Sequence, residues 1–139
     1  MANPLIGSEN RTFDALLVLE DGAGAKTATG VGQDGGSDAE LDLGTGSMKG
    51  DLVIIPTALD FTTADETYFI TLEGTSDDFS NVIDLVRVEL DSASLAADKV
   101  VVPFSNMRDD VIHNKVRIKH TLAGTTPILT YTARLAKHL

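Results

Sequence analysis

Residues 113–135, HNKVRIKHTLAGTTPILTYTARL, read as two strands joined by a short turn. Val116, Ile118, His120 and Leu122 alternate with Lys115, Arg117, Lys119 and Thr121, which makes one face largely apolar and the other largely cationic. Ala123-Gly124-Thr125-Thr126-Pro127 supplies the turn: glycine allows a positive φ, and proline fits at the start of a returning strand. Leu129, Tyr131, Ala133 and Leu135 then alternate with Ile128, Thr130, Thr132 and Arg134. The shared period of two predicts a hairpin, the clearest in the chain. Two strands alone are at best marginally stable in water, so the apolar face requires a second sheet.

The rest of the chain can supply one. Arg11 to Glu20 reads as a first strand with Phe13, Ala15, Leu17 and Leu19 on one face. Leu52 to Ile55 is an apolar run stopped by Pro56, as expected of a buried strand. Thr67 to Gly74 and Asp84 to Leu90 alternate, and Val100 to Phe104 is a further strand with Pro103 near its end. Ser92 to Asp98 has room for one helical turn, and Asn106 to Asp110 reads as a polar loop. Many short strands and no helix of useful length predict an all-β single domain, a jelly roll or β-sandwich of about eight mostly antiparallel strands.

Two segments stand apart. Residues 1–10 hold Pro4 and Gly7 with little periodicity and read as an N-terminal arm preceding the domain at 11–139. Residues 22–50 hold nine of the twelve glycines, which predicts a long excursion with short strands around Thr27 to Val31 and Ala39 to Leu43. Excursions of this length in a compact domain tend to be functional or ordered by a partner.

Charge narrows the function. Eleven Lys and Arg stand against 21 Asp and Glu, for a net −10, so phosphate backbones repel the chain and nucleic acid is a poor partner. The basic residues gather late: from Arg108 onward six face two acids, against five and nineteen before it. This asymmetry marks either an interaction surface or strands that neutralise one another. No run approaches the ~18 apolar residues of a membrane span, and MANPLIGSENR lacks the layout of a signal peptide. The absence of cysteine fits synthesis in a reducing cytoplasm.

No catalytic or metal-binding set emerges. His113 and His120 lie seven apart in one predicted strand, a spacing that points them to opposite faces, and His138 is in the tail. Gly22-Ala23-Gly24-Ala25-Lys26-Thr27 lacks the glycines that a phosphate loop needs. Asp34, Asp38, Glu40 and Asp42 match no calcium-loop spacing and read as solvated carboxylates. No cofactor is expected, nor an enzyme. A cupin-type enzyme would need clustered histidines. A carbohydrate-binding or adhesion module, the alternative within the same fold, would want aromatic platforms where this chain has only Tyr68 and Tyr131.

The succession RTFDALLVLEDGAGAKTATGVG, DLVIIPTALDFTTADETYFITLEGTSDDFSN and KVRIKHTLAG resembles the jelly-roll capsid cement (decoration) proteins of tailed phages, over nearly the whole length. The resemblance implies a non-enzymatic virion protein that dimerises, sits on the outer capsid surface and bridges subunits of the major capsid protein. Two weak footprints joined in one homodimer would bind far more tightly than either alone. On this reading the arm, with Asn3, Pro4 and Leu5, and the glycine-rich excursion are loosely ordered in the free protein and settle on the capsid. Lys115, Arg117 and Lys119, with Arg134 nearby, are candidate capsid or dimer contacts facing an acidic surface.

Overall fold

Both strands of the 113–135 stretch form, but they lie in different sheets. The computed structural model describes residues 17–137. Its strands are β1 (Val18–Glu20), β2 (Gly30–Val31), β3 (Gln33–Asp34), β4 (Ser37–Asp38), β5 (Leu41–Asp42), β6 (Lys49–Leu59) and β7 (Thr67–Thr75). After β8 (Ile83–Leu90) come one helical turn, α1 (Ser92–Ala96), and then β9 (Val100–Ser105), β10 (Met107–Arg108), β11 (Val111–Ile112), β12 (Lys115–Ala123) and β13 (Leu129–Lys137). One sheet has the order β9-β6-β13-β1; a second runs β2-β12-β7-β8, with β5 also on β12. β3 with β4 and β10 with β11 form two small ribbons. The fold is all-β, and every strand pairing among the described residues is antiparallel. No helix among them is long and apolar enough to cross a membrane.

The predicted hairpin is therefore corrected. β12 pairs along its whole length with β7 and uses its other edge for β2 and β5, which leaves no edge for β13. β13 pairs instead with β6 and β1. The apolar faces of the two strands meet across the interior rather than side by side. Val116, Ile118 and Leu122 share one buried cluster with Leu129, Tyr131, Ala133 and Leu135. Leu52 and Ile54 of β6, Tyr68, Ile70 and Leu72 of β7, and Leu19, Leu90 and Phe104 belong to the same cluster. Fully burying a large apolar side chain contributes roughly 1.5–3 kcal/mol, so this cluster dominates stability.

The connection between the strands explains the choice. Residues 124–128 do not close on themselves but dock on the loop before β7. Thr125 donates from its N–H (3.1 Å) and its hydroxyl (2.6 Å) to Asp65, and the Ile128 N–H donates to the Tyr68 hydroxyl at 2.9 Å. Gly124 has φ +110, and a Cβ there would meet Glu66 Cα at 2.7 Å, so only glycine fits this approach. Among strands of the two larger sheets, the chain changes sheet at every step except β2 to β5 and β7 to β8.

Other expectations hold with shifted bounds. β6 runs from Lys49 through Pro56 to Leu59 instead of stopping at the proline, because a register shift between Thr130 and Tyr131 accommodates Pro56 opposite Tyr131. α1 fills the predicted helical turn, capped by Asp91 accepting from the Ser94 N–H at 3.0 Å. The 106–110 loop is not wholly irregular. Asp109 (φ 52) and Asp110 (φ 64) take the paired positive φ of a tight turn between β10 and β11. The arm and residues 11–16 of the predicted first strand lie outside the described residues.

The glycine-rich excursion is fastened rather than loose. Glu20, fully buried at the end of β1, accepts from the N–H groups of Gly22 (2.8 Å) and Gln33 (2.9 Å) and pairs with Lys26 at 3.3 Å. Asp21 accepts from Ala23 and Gly35, and the Gly35 N–H in particular holds its carboxyl below the usual range. The Gly32 N–H donates to the Ile118 carbonyl at 2.9 Å, which lays the loop against β12. Carboxylates here replace the ladder bonds that glycine-rich chain forms poorly.

Candidate interaction surface

The cations singled out in the sequence fall in two places. Lys115, Arg117 and Lys119 project from the side of β12 opposite the core, whereas Arg134 lies in the other sheet, beside Val53 of β6 and Val18 of β1. The four do not form one surface. Lys115 donates to Asp78 at 2.9 Å, a hydrogen bond that raises its pKa. Arg117 pairs with Glu73 of β7 at 2.9 Å and stacks on the Phe79 ring at 4.5 Å. Lys119 has no ion pair among the described residues and stands half-buried between Thr71 and Val31. Two of the three β12 cations thus have carboxylate partners within their own chain. Asn3, Pro4 and Leu5 lie outside the described residues.

A second region has the opposite character. β8 and β9 are the outermost strands of the two larger sheets, and a groove of about 380 Å³ opens between them. Leu85 and Val86 of β8 line it with Pro103 and Phe104 of β9, and Met107 of β10 closes one side. Exposed large apolar residues concentrate here: Val101 is 48% exposed, Met107 45% and Val111 43%. Two exposed cations border the groove, Lys49 at the start of β6 and Arg108 in β10. Neither forms an ion pair among the described residues.

Local chemistry builds this flank. Buried Asn106 ends β9 by accepting from the Met48 N–H (2.7 Å) through its side chain and from the His113 N–H (2.8 Å) through its carbonyl. The chain between these two contacts is extruded as the β10–β11 ribbon, with Met107 opposite Ile112 and Arg108 opposite Val111. The Arg108 guanidinium donates back to the Asp84 carbonyl of β8, which anchors the ribbon. The polar character of 106–110 hides the ribbon; the sequence signal for it is the apolar pair Met107 and Val111 on either side of Arg108-Asp109-Asp110.

The buried polar groups serve the core. His120 and the Tyr131 hydroxyl lie 2.8 Å apart with their rings edge to face. Burial, assisted by the Lys26 charge, lowers the His120 pKa to about 4, and burial raises that of Tyr131. His113 precedes β12 and is buried against Gly74, so the opposite-face expectation for the two histidines does not apply. His138 lies outside the described residues. Among the described residues no three His, Asp or Glu gather as metal ligands. Asp38 and Asp42 act as loop acceptors, from Gln33 Nε2 (3.3 Å) and the Gly44 N–H (2.9 Å).

The chain matches no known family model, no curated protein and no solved structure. Its geometry and chemistry must therefore carry the functional reading. Tyr68 and Tyr131 are both buried in the core, and the rings of Phe69 and Phe79 lie beneath the guanidinium groups of Arg87 (4.1 Å) and Arg117. None of these four offers a bare platform for a sugar ring.

Proposed function

We propose that this chain is a structural, non-enzymatic binding protein: a jelly-roll cement subunit that sits as a dimer on the outside of an assembled phage capsid and bridges major capsid subunits. The observation carrying the binding role is the β8/β9 flank, where exposed Met107 and Arg108 border a groove lined by Leu85, Val86, Pro103 and Phe104, methionine and arginine being residues enriched at protein interfaces. The repeated passage of the chain between two sheets supports the jelly roll. A net charge of −10 suits the outside of a shell filled with nucleic acid. Multivalent attachment would let individually modest footprints hold. The buried tyrosines disfavour the carbohydrate-binding alternative.

The test is co-sedimentation of the purified protein with undecorated phage shells. Saturable, stoichiometric occupancy with raised resistance of the shell to heat is expected. Failure to occupy any such shell, alongside turnover of a substrate or retention on glycans, would overturn the proposal.

A further inference from the structure

We propose that the groove between β8 and β9 seats an extended acidic segment of a partner protein, with an apolar side chain over Phe104 and Leu85 and carboxylates at Lys49 and Arg108. This inference rests on reading the chain as a binding protein and names the chemistry of what it binds.

The extended form follows from the walls. Both β8 and β9 end their sheets, so each has one edge with no neighbouring strand to pair its backbone groups. Such edges accept an added strand, whose main-chain bonds supply affinity while side-chain recesses supply selectivity. The Arg108 bond to the Asp84 carbonyl occupies part of the β8 edge, which leaves β9 the more open of the two. The apolar requirement follows from the floor, where Leu85, Val86, Pro103 and Phe104 meet. Burying one large side chain there removes water from all of them.

The acidic requirement follows from charge. Lys49 and Arg108 are exposed with no carboxylate pairing them among the described residues, and unlike Arg87 and Lys99, which share that exposure, both line the groove. The cations of β12 differ, because Lys115 and Arg117 already have Asp78 and Glu73. Beyond Arg108 the surface turns acidic, with Asp84 and Asp109 lining an adjoining hollow of about 490 Å³. A uniformly polyanionic ligand would meet repulsion there, so the segment should carry isolated carboxylates spaced by apolar residues. A nucleic acid backbone fits poorly on the same ground.

The test uses two synthetic peptides, acetyl-EVEFEVE-amide and acetyl-KVKFKVK-amide, titrated into the ¹⁵N-labelled full chain and followed by amide NMR. The acidic peptide should shift amides of β8, β9 and the β10–β11 ribbon and bind at least tenfold more tightly than the basic one. Added salt should narrow that margin. The double variant K49E/R108E should reverse the preference, with its own amide spectrum reporting whether the β10–β11 ribbon, which Arg108 holds to the Asp84 carbonyl, is kept; K49E alone leaves that bond intact and should narrow the preference. Equal binding of both peptides, shifts centred on the outer face of β12, or no shift at millimolar acidic peptide would overturn the inference. Shell binding separates the two proposals. If K49E/R108E occupies shells as the parent does, the groove assignment falls and the decoration reading stands. If the parent never binds shells yet the peptide results hold, the reverse is true.

Discussion

The outer side of β12 and the β8/β9 flank both carry cations on a strongly acidic chain, yet they are built in opposite ways. On β12 the guanidinium of Arg117 meets Glu73 at 2.9 Å and lies over Phe79, and Lys115 meets Asp78. Both edges of that strand are paired, and its inner face is buried. At the flank, Lys49 and Arg108 have no such carboxylates among the described residues, the sheets stop, and Met107, Val101 and Val111 stand exposed. A cation on a map of the sequence therefore says little about binding until its own chain's carboxylates are placed around it. Substitutions on β12 should register as stability, and substitutions at the flank as affinity.

The largest stability effect belongs to the inner side of β12. His120 has a folded pKa of about 4 against an ordinary 6.5, so the unfolded chain binds the proton more readily between those values. This contribution to stability is complete above pH 6.5 and is lost as the pH falls toward 4, to a total of about 3 kcal/mol. Urea midpoints between pH 7 and 4.5 should fall in the parent and stay flatter in His120→Gln once its own offset is subtracted. Parallel slopes would show that the imidazole is not held neutral by burial.

Smaller losses follow outward. Tyr131→Phe removes the hydroxyl beside His120 and should cost about 1 kcal/mol, measured by chemical denaturation at pH 7. Arg117→Ala leaves the mostly buried Glu73 carboxylate without its guanidinium and should cost about 1 kcal/mol, with little change in shell or peptide binding. A drop in affinity larger than the drop in stability would return the β12 face to candidacy. Least of all should Lys49 alter stability: Lys49→Ala is expected to leave the thermal midpoint within about 2 °C of the parent, whereas Arg108→Ala also gives up the bond to the Asp84 carbonyl and should lower it further. A larger shift for Lys49→Ala in differential scanning calorimetry would mean that this side chain helps hold the fold together.

The alternation that makes residues 113–135 legible as two strands says which side chains face the core: Ile118 and Leu122, like Leu129 and Leu135, are buried. A period of two says nothing about which edge carries the hydrogen bonds. That choice lies with Asp65 and Tyr68, some 60 positions away, whose groups hold the 124–128 connection. The cations of β12 were legible for the same reason as its core face, and their partners were not, since Glu73 and Asp78 approach from another part of the chain. The flank was illegible as a unit because Lys49, Leu85, Phe104 and Met107 come from four separate strands. That Pro56 does not stop β6 has a local reason: the register against β13 passes from Pro56 to Ala58 and skips Thr57, so a bulge in β6 itself, just after the proline, removes the conflict.

The most direct test is hydroxyl-radical footprinting of the chain free and bound to shells. Protection of Met107, with the half-buried Leu85 following it and Phe79 beside Arg117 unchanged, is the result expected of a protein that binds through the open flank. Protection centred on Phe79 and the outer side of β12, with Met107 oxidised as fast as in the free chain, would contradict it.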